Sequence, residues 1–141
     1  MKNKGSTLVE TIVSLAVLLM GVVLISNIIL NLKNSQEYRN LREEANRISY
    51  AIESEIKYNY KKEELKEIFS EVKVIELNFD KEFLKKLLYK DLFTFTLGHG
   101  IAIKISDSTD SNIKEFTILI KDSKGAILSE RRFYKNNWMD L

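Results

Sequence analysis

Few residues in this chain have the type and spacing to do chemistry, and the first of them is a carboxylate among apolar neighbours. Glu10 stands at the head of a run, Thr11 to Leu32, that carries no formal charge over 22 residues. An ionised carboxylate in hydrocarbon costs roughly 3 kcal/mol on insertion scales, so Glu10 asks for a partner. Gly5 and Ser6, small residues of the kind a peptidase accepts, lie just ahead of it. A cut between them would leave Ser6 with a free, cationic amine, and Glu10, four residues on, would share its helix face. Made between neighbouring helices, that pair fixes an axial register, because one stagger alone brings the charges together. The plainer alternative places Glu10 at headgroup level, near the positive end of a helix dipole.

The remaining candidates are thinner. His99 is the only histidine, set between glycines in "LGHG", and with no Cys and no Ser constellation to serve, a hairpin tip accounts for it better than catalysis. Asp107 and Asp110 in "SDSTDSN" offer oxygen ligands suited to calcium, but the loop lacks the Gly and the terminal Glu of an EF-hand, and a polar turn explains it better. Arg131, Arg132 and Lys135 are mixed with Phe133, Tyr134 and Trp138 in "ERRFYKNNW", a composition able to stack on and neutralise single-stranded nucleic acid, DNA among them. An edge strand with alternating exposure is favoured over it. The expectation is a protein that is not an enzyme and takes no cofactor.

Composition narrows the classes. The 141 residues hold 22 Lys plus Arg against 20 Asp plus Glu, and an excess of +2 is too small to make nucleic acid the main partner. Without Cys there is no disulfide framework, thiolate metal site or thiol nucleophile. Without Pro, long helices run unkinked. The apolar run makes a helix of about 33 Å, which matches a hydrocarbon layer of about 30 Å. Thr11, Ser14 and Ser26 dilute it, but their hydroxyls can bond back to helix carbonyls. A secretory signal would have an apolar core of about 7–15 residues with its cleavage site after it. Here the small residues come first, so a cut would keep the whole apolar helix on the mature chain.

"KGSTLVE" followed by that helix resembles the N-terminus of a type IV pilin or pseudopilin precursor. The likeness covers roughly the first 35 residues and rests on leader charge, glycine, glutamate spacing and apolar length. It implies cleavage between Gly5 and Ser6 by a prepilin peptidase, methylation of the new amine, and Glu10 as an assembly residue. Ser6 stands where major pilins carry Phe or Met, which points to a minor subunit. The resemblance further implies a leader at 1–5, a transmembrane and filament-core helix at 6–32, and an extracytoplasmic head at 33–141. Its partners would be other pilin or pseudopilin subunits, the peptidase, an inner-membrane assembly platform and the lipid bilayer. The location would be the cytoplasmic membrane, single-pass, with the head outside, and then a surface pilus or a competence or secretion pseudopilus. Flanking charges are nearly balanced, Lys2 and Lys4 against Lys33, Arg39 and Arg42, so they scarcely choose an orientation themselves. The alternative is a signal-anchored single-pass protein with an interaction head and no filament.

The rest of the chain predicts an α+β head. Tyr38, Leu41, Ala45, Ile48, Ile52 and Ile56 recur every three or four residues and continue the helix as an amphipathic stripe. "KVIELNF", "LFTFTL", "IAIKIS" and "FTILIKD" alternate as strands of a small antiparallel sheet, with "AILSERRFY" as a more polar edge. Two short helices are expected between: "KKEELKEIFSEV", with Leu65, Ile68, Phe69 and Val72 inward, and "KEFLKKLLYK", capped by Asp80, with Phe83, Leu84, Leu87 and Leu88 inward.

Overall fold

The computed structural model of the protein describes residues 4–80, 82–107 and 113–136. Helix α1 (Lys4–Tyr58) runs unbroken for 55 residues, as a proline-free sequence permits. It contributes to two compact units, Met1–Asn40 and Leu41–Leu141. The first unit is helix alone wherever it is described. Its large apolar side chains from Leu8 to Leu32 are each 52–69% exposed. They occur at nearly every position, so no face of the helix is polar.

In the second unit the stripe on α1 is buried: Ala45, Ile48, Ile52 and Ile56 are fully enclosed, at spacings of three, four and four. Each isoleucine so buried contributes roughly 1.5–3 kcal/mol. Tyr38, expected to begin this stripe, is exposed. The cover is a four-stranded antiparallel sheet in the order β1 (Val74–Asn78), β2 (Gly100–Asp107), β3 (Lys114–Lys121), β4 (Ile127–Lys135). Alternation along the strands aims Leu77, Ile101, Ile103, Phe116, Ile118, Ile120 and Phe133 into one core with the helix. Strand β4 lies at an edge, as its polar sequence suggested. The β3–β4 register slips between Ile120 and Lys121, where Ile120 faces Ser129 and Lys121 faces Ile127. The extra residue, Leu128, lets two successive side chains, Leu128 and Ser129, both be buried. The Ser129 hydroxyl then meets that of Ser49 on α1 at 3.1 Å, satisfying both. The β3–β4 turn closes on Asp122, whose Oδ1 accepts from the Lys124 and Ala126 amides at 2.8 Å.

Three expectations need correction. "LFTFTL" is not a strand; Leu92–Thr94 form a 3-10 turn. Thr94 donates its hydroxyl to the Asp91 carbonyl at 2.7 Å, a local bond that competes with ladder pairing. Phe93 and Phe95 still reach the core edge-on or tilted, Phe93 against Tyr60 and Phe69 with centroids 5.0 and 5.7 Å apart, and Phe95 against Phe83 at 4.8 Å. The first short helix, α2 (Lys62–Ile68), stops early: Ser70 donates to the Glu67 carbonyl at 2.8 Å, and Val72 is left exposed. The second, α3 (Phe83–Leu87), is a single turn that buries Phe83 and exposes Leu88.

Asp80 does serve the start of α3, although the residue at the N-cap position is Glu82. Its Oδ1 accepts from the Glu82 amide at 3.1 Å and its carboxylate pairs with Lys86. The Lys86 hydrogen bond, then the Glu82 amide, holds the Asp80 carboxyl below its ordinary range, and the Asp80 bond holds the Lys86 ammonium above its own. Asp80 therefore contributes stability above the free carboxyl pKa of about 3.9, lost as pH falls through the lower folded value. Lys86 contributes below about 10.4, lost as pH rises through its higher folded value. On acidification the carboxyl carbon shift of the Asp80 side chain, read directly, should move with a midpoint below about 3.9. Lys86→Ala should move that midpoint back toward the free value. A midpoint at or above the free value would show that the pair does not form.

Candidate functional site

Glu10 lies in the first unit, within α1, on the part of the helix that is apolar on every side. The backbone of Gly5 and Ser6 is helical and precedes it in the same element. Helix spacing puts Thr7, Ser14 and Glu10 on one side, three and four residues apart. Beside Glu10, Thr11 donates its hydroxyl to the Thr7 carbonyl, and further along the helix Ser26 does the same to Val22 at 2.8 Å. Among the described residues Glu10 itself makes no hydrogen bond or ion pair. This segment is long and apolar enough to cross a membrane, by length and composition. For an isolated chain in lipid, a carboxylate with no side-chain partner among the described residues, on an apolar helix, would be costly.

The other predicted residues are dispersed. His99 is not at a hairpin tip: the chain comes alongside the outer edge of β1, where Leu97 bridges Leu77, and turns past the strand end into β2. The His99 carbonyl accepts from the Phe79 amide at 3.1 Å, and its ring is 98% exposed with Nδ1 3.5 Å from the Glu76 carboxylate. No nucleophile adjoins it among those contacts. Asp107 ends β2 opposite Lys114, while Asp110 lies outside the described residues. Among the described residues no group of three metal-binding side chains converges.

Arg131, Arg132 and Lys135 do not form one basic face. Strand alternation turns Arg132 away from the other two, and it pairs with Glu130 at 2.6 Å; that bond holds its guanidinium pKa higher still. Arg131 donates to Glu53 of α1 at 3.0 Å and lies 5.4 Å from the centre of the Tyr50 ring. Lys135 is only 1% exposed, and its ammonium donates to the Ile56 and Lys57 carbonyls at 3.2 and 2.8 Å. It thus satisfies the C-terminal end of α1, where carbonyls have no helical partner and a cation suits the dipole. Trp138 lies outside the described residues. Lys135→Met should cost about 3 kcal/mol, since two acceptors lose a charged donor. Urea unfolding of the full chain in detergent, followed by far-UV circular dichroism, measures it; a loss under about 1 kcal/mol would mean that water replaces the ammonium.

Two hollows flank α2 and were not legible as sites in the sequence. On one side Glu55, Glu64, Glu67 and Asp91, with Lys90 as the one cation, line a groove of about 1250 Å³. Its inner wall carries Tyr60, whose hydroxyl is buried without a hydrogen-bond partner and is pushed up in pKa chiefly by that burial. On the other side Lys66, Lys73 and Lys114 surround a hollow of about 340 Å³ floored by Phe69 and Ile105. The signal was the pattern KEELKE, which at 3.6 residues per turn sends Glu64 and Glu67 one way and Lys62 and Lys66 the other. Comparison of the chain with protein-family models, with curated proteins and with solved structures returned no match.

Proposed function

We propose that this chain is a structural subunit, of the minor kind, of a type IV pilus or related pseudopilus. The observation that carries the reading is Glu10: a carboxylate with no described partner, on a helix apolar all round, a short distance after a Gly–Ser pair. In this reading the chain is first a single-pass protein of the cytoplasmic membrane with its head outside. A prepilin peptidase cuts between Gly5 and Ser6, and the Ser6 amine of one copy or neighbour then pairs with Glu10 of the next subunit. Packing apolar helices against one another replaces lipid contacts with protein contacts, so transfer from bilayer to filament need not cost a full desolvation. The α+β head, with the second half of α1 held in its core, is what the filament would display.

The test is the intact mass and N-terminal fragment mass of the protein recovered from its native membrane. A chain beginning at Ser6, with or without one added methyl, is expected. A chain still beginning at Met1 would overturn the proposal and leave a signal-anchored single-pass protein with an interaction head. Gly5→Val should accumulate uncleaved precursor, because a branched side chain does not fit where the peptidase accepts glycine; a shortened product from that variant would put the cleavage site elsewhere.

A further inference from the structure

The head carries two faces of opposite charge on opposite sides of one short helix. The acidic groove presents Glu64, Glu67 and Asp91, all exposed and none with an ion-pair partner among the described residues; the exposed Lys90 also lines it, and the carboxylates outnumber that one cation. Leu88 and Tyr89 at its rim are 78% and 87% exposed, an apolar patch with no cover. The basic hollow presents Lys66 and Lys73, exposed and likewise without an ion pair. Like charges so grouped repel one another within each face, and a partner of opposite sign relieves both at once. Long lysine stems also suit the apolar rim, because they lay methylenes on Leu88 and Tyr89 while the ammonium reaches the carboxylates.

We propose that the acidic groove beside α2 of one copy receives the lysine-lined hollow of a second copy of this chain. The charge complementarity lies within the one sequence, so no other partner chemistry is needed. Because the two faces point away from each other across α2, a single copy cannot close on itself and a pair cannot satisfy both faces symmetrically. The contact is heterologous and leaves a free face at each end, the geometry that propagates rather than stops. This deepens the filament reading and rests on it for the parallel alignment of copies: the helices would set the axial register and the heads the lateral neighbour.

The native chain lacks Cys, so introduced thiols report proximity without background. Asn59 lines the acidic groove and Ser106 the basic hollow, and neither supplies charge. Full-length Asn59→Cys and Ser106→Cys copies, differently tagged, are co-expressed in one membrane and treated with a short bismaleimide. Mixed dimers should exceed either like-with-like dimer by about tenfold, and should fall severalfold between about 0.05 and 0.5 M salt as screening shortens the electrostatic reach. Lys66→Glu with Lys73→Glu on the Ser106→Cys copy should abolish the product. Adding Glu64→Lys with Glu67→Lys on the Asn59→Cys copy should restore it, which a misfolded variant could not do. Equal mixed and like-with-like yields, or charge reversal without effect, would overturn the contact. The N-terminal mass of the same sample separates the two ideas: processed chains that do not cross-link defeat only the head contact, and unprocessed chains that do defeat only the filament.

Discussion

If the chain assembles as proposed, Glu10→Ala should leave the protein in the membrane fraction and remove it from sheared filaments. Taking a carboxylate out of an apolar helix makes membrane insertion easier by roughly 3 kcal/mol, so the membrane pool should not shrink. Assembly should fail for the opposite reason. In a filament the Ser6 amine would face alanine, and one charge left alone in a desolvated pair costs about 3–5 kcal/mol. At 1.4 kcal/mol per tenfold, that lowers incorporation on the order of a hundredfold or more. Glu10→Gln keeps shape and hydrogen-bonding capacity but not charge, and should fail nearly as badly. Immunoblots of membrane and sheared fractions decide the matter. Alanine or glutamine variants present in filaments at wild-type levels would mean that apolar packing alone sets the register.

The second large effect is expected at Gly100, in the second unit. Its φ is +118°, a conformation side chains rarely adopt, and a Cβ there would stand 2.5 Å from the Phe79 Cβ. The site is where the chain turns past the end of β1, with the Phe79 amide already bonded to the neighbouring His99 carbonyl at 3.1 Å. Gly100→Ala thus meets backbone strain and a clash that the strand end cannot yield to, and should cost about 3 kcal/mol or more. Gly125 gives the control: its φ is +83°, but a Cβ there meets nothing within 4 Å. Gly125→Ala should cost about 1 kcal/mol, from the conformation alone. Urea unfolding of the two variants side by side measures the difference. Equal losses would show that the crossing at Gly100 relaxes freely.

How far the sequence reveals the fold depends on whether the deciding contact is periodic. The stripe from Leu41 to Ile56 and the alternation in β2 and β3 were legible because burial on one face imposes a period of 3.6 or 2. "LFTFTL" has the same alternation, yet one hydroxyl bond from Thr94 to Asp91 turns it into a 3-10 turn. The glycines of "LGHG" looked like a hairpin tip; they mark a close approach to Asn78 and Phe79, which no local pattern encodes. Lys135 looked like a surface cation, because nothing nearby in sequence announces that its ammonium reaches carbonyls 78 and 79 positions earlier. Of the site, the pattern around Glu10 was complete in the sequence. The opposed charges of α2 were present too, but their meaning depends on which walls face them.

The Lys135 clasp also bears on how the head comes into being. The last strand holds the end of the first helix, so the stripe from Ala45 to Ile56 cannot be fully covered until β4 has emerged. Contacts of such long sequence separation are slow to form, because loop closure comes before their reward. A chain delivered across a membrane from its N-terminus would expose that stripe, and the unpaired edge of β3, for most of its translocation. By that route the head would fold late, with a window for aggregation that closes only when the residues of β4 arrive.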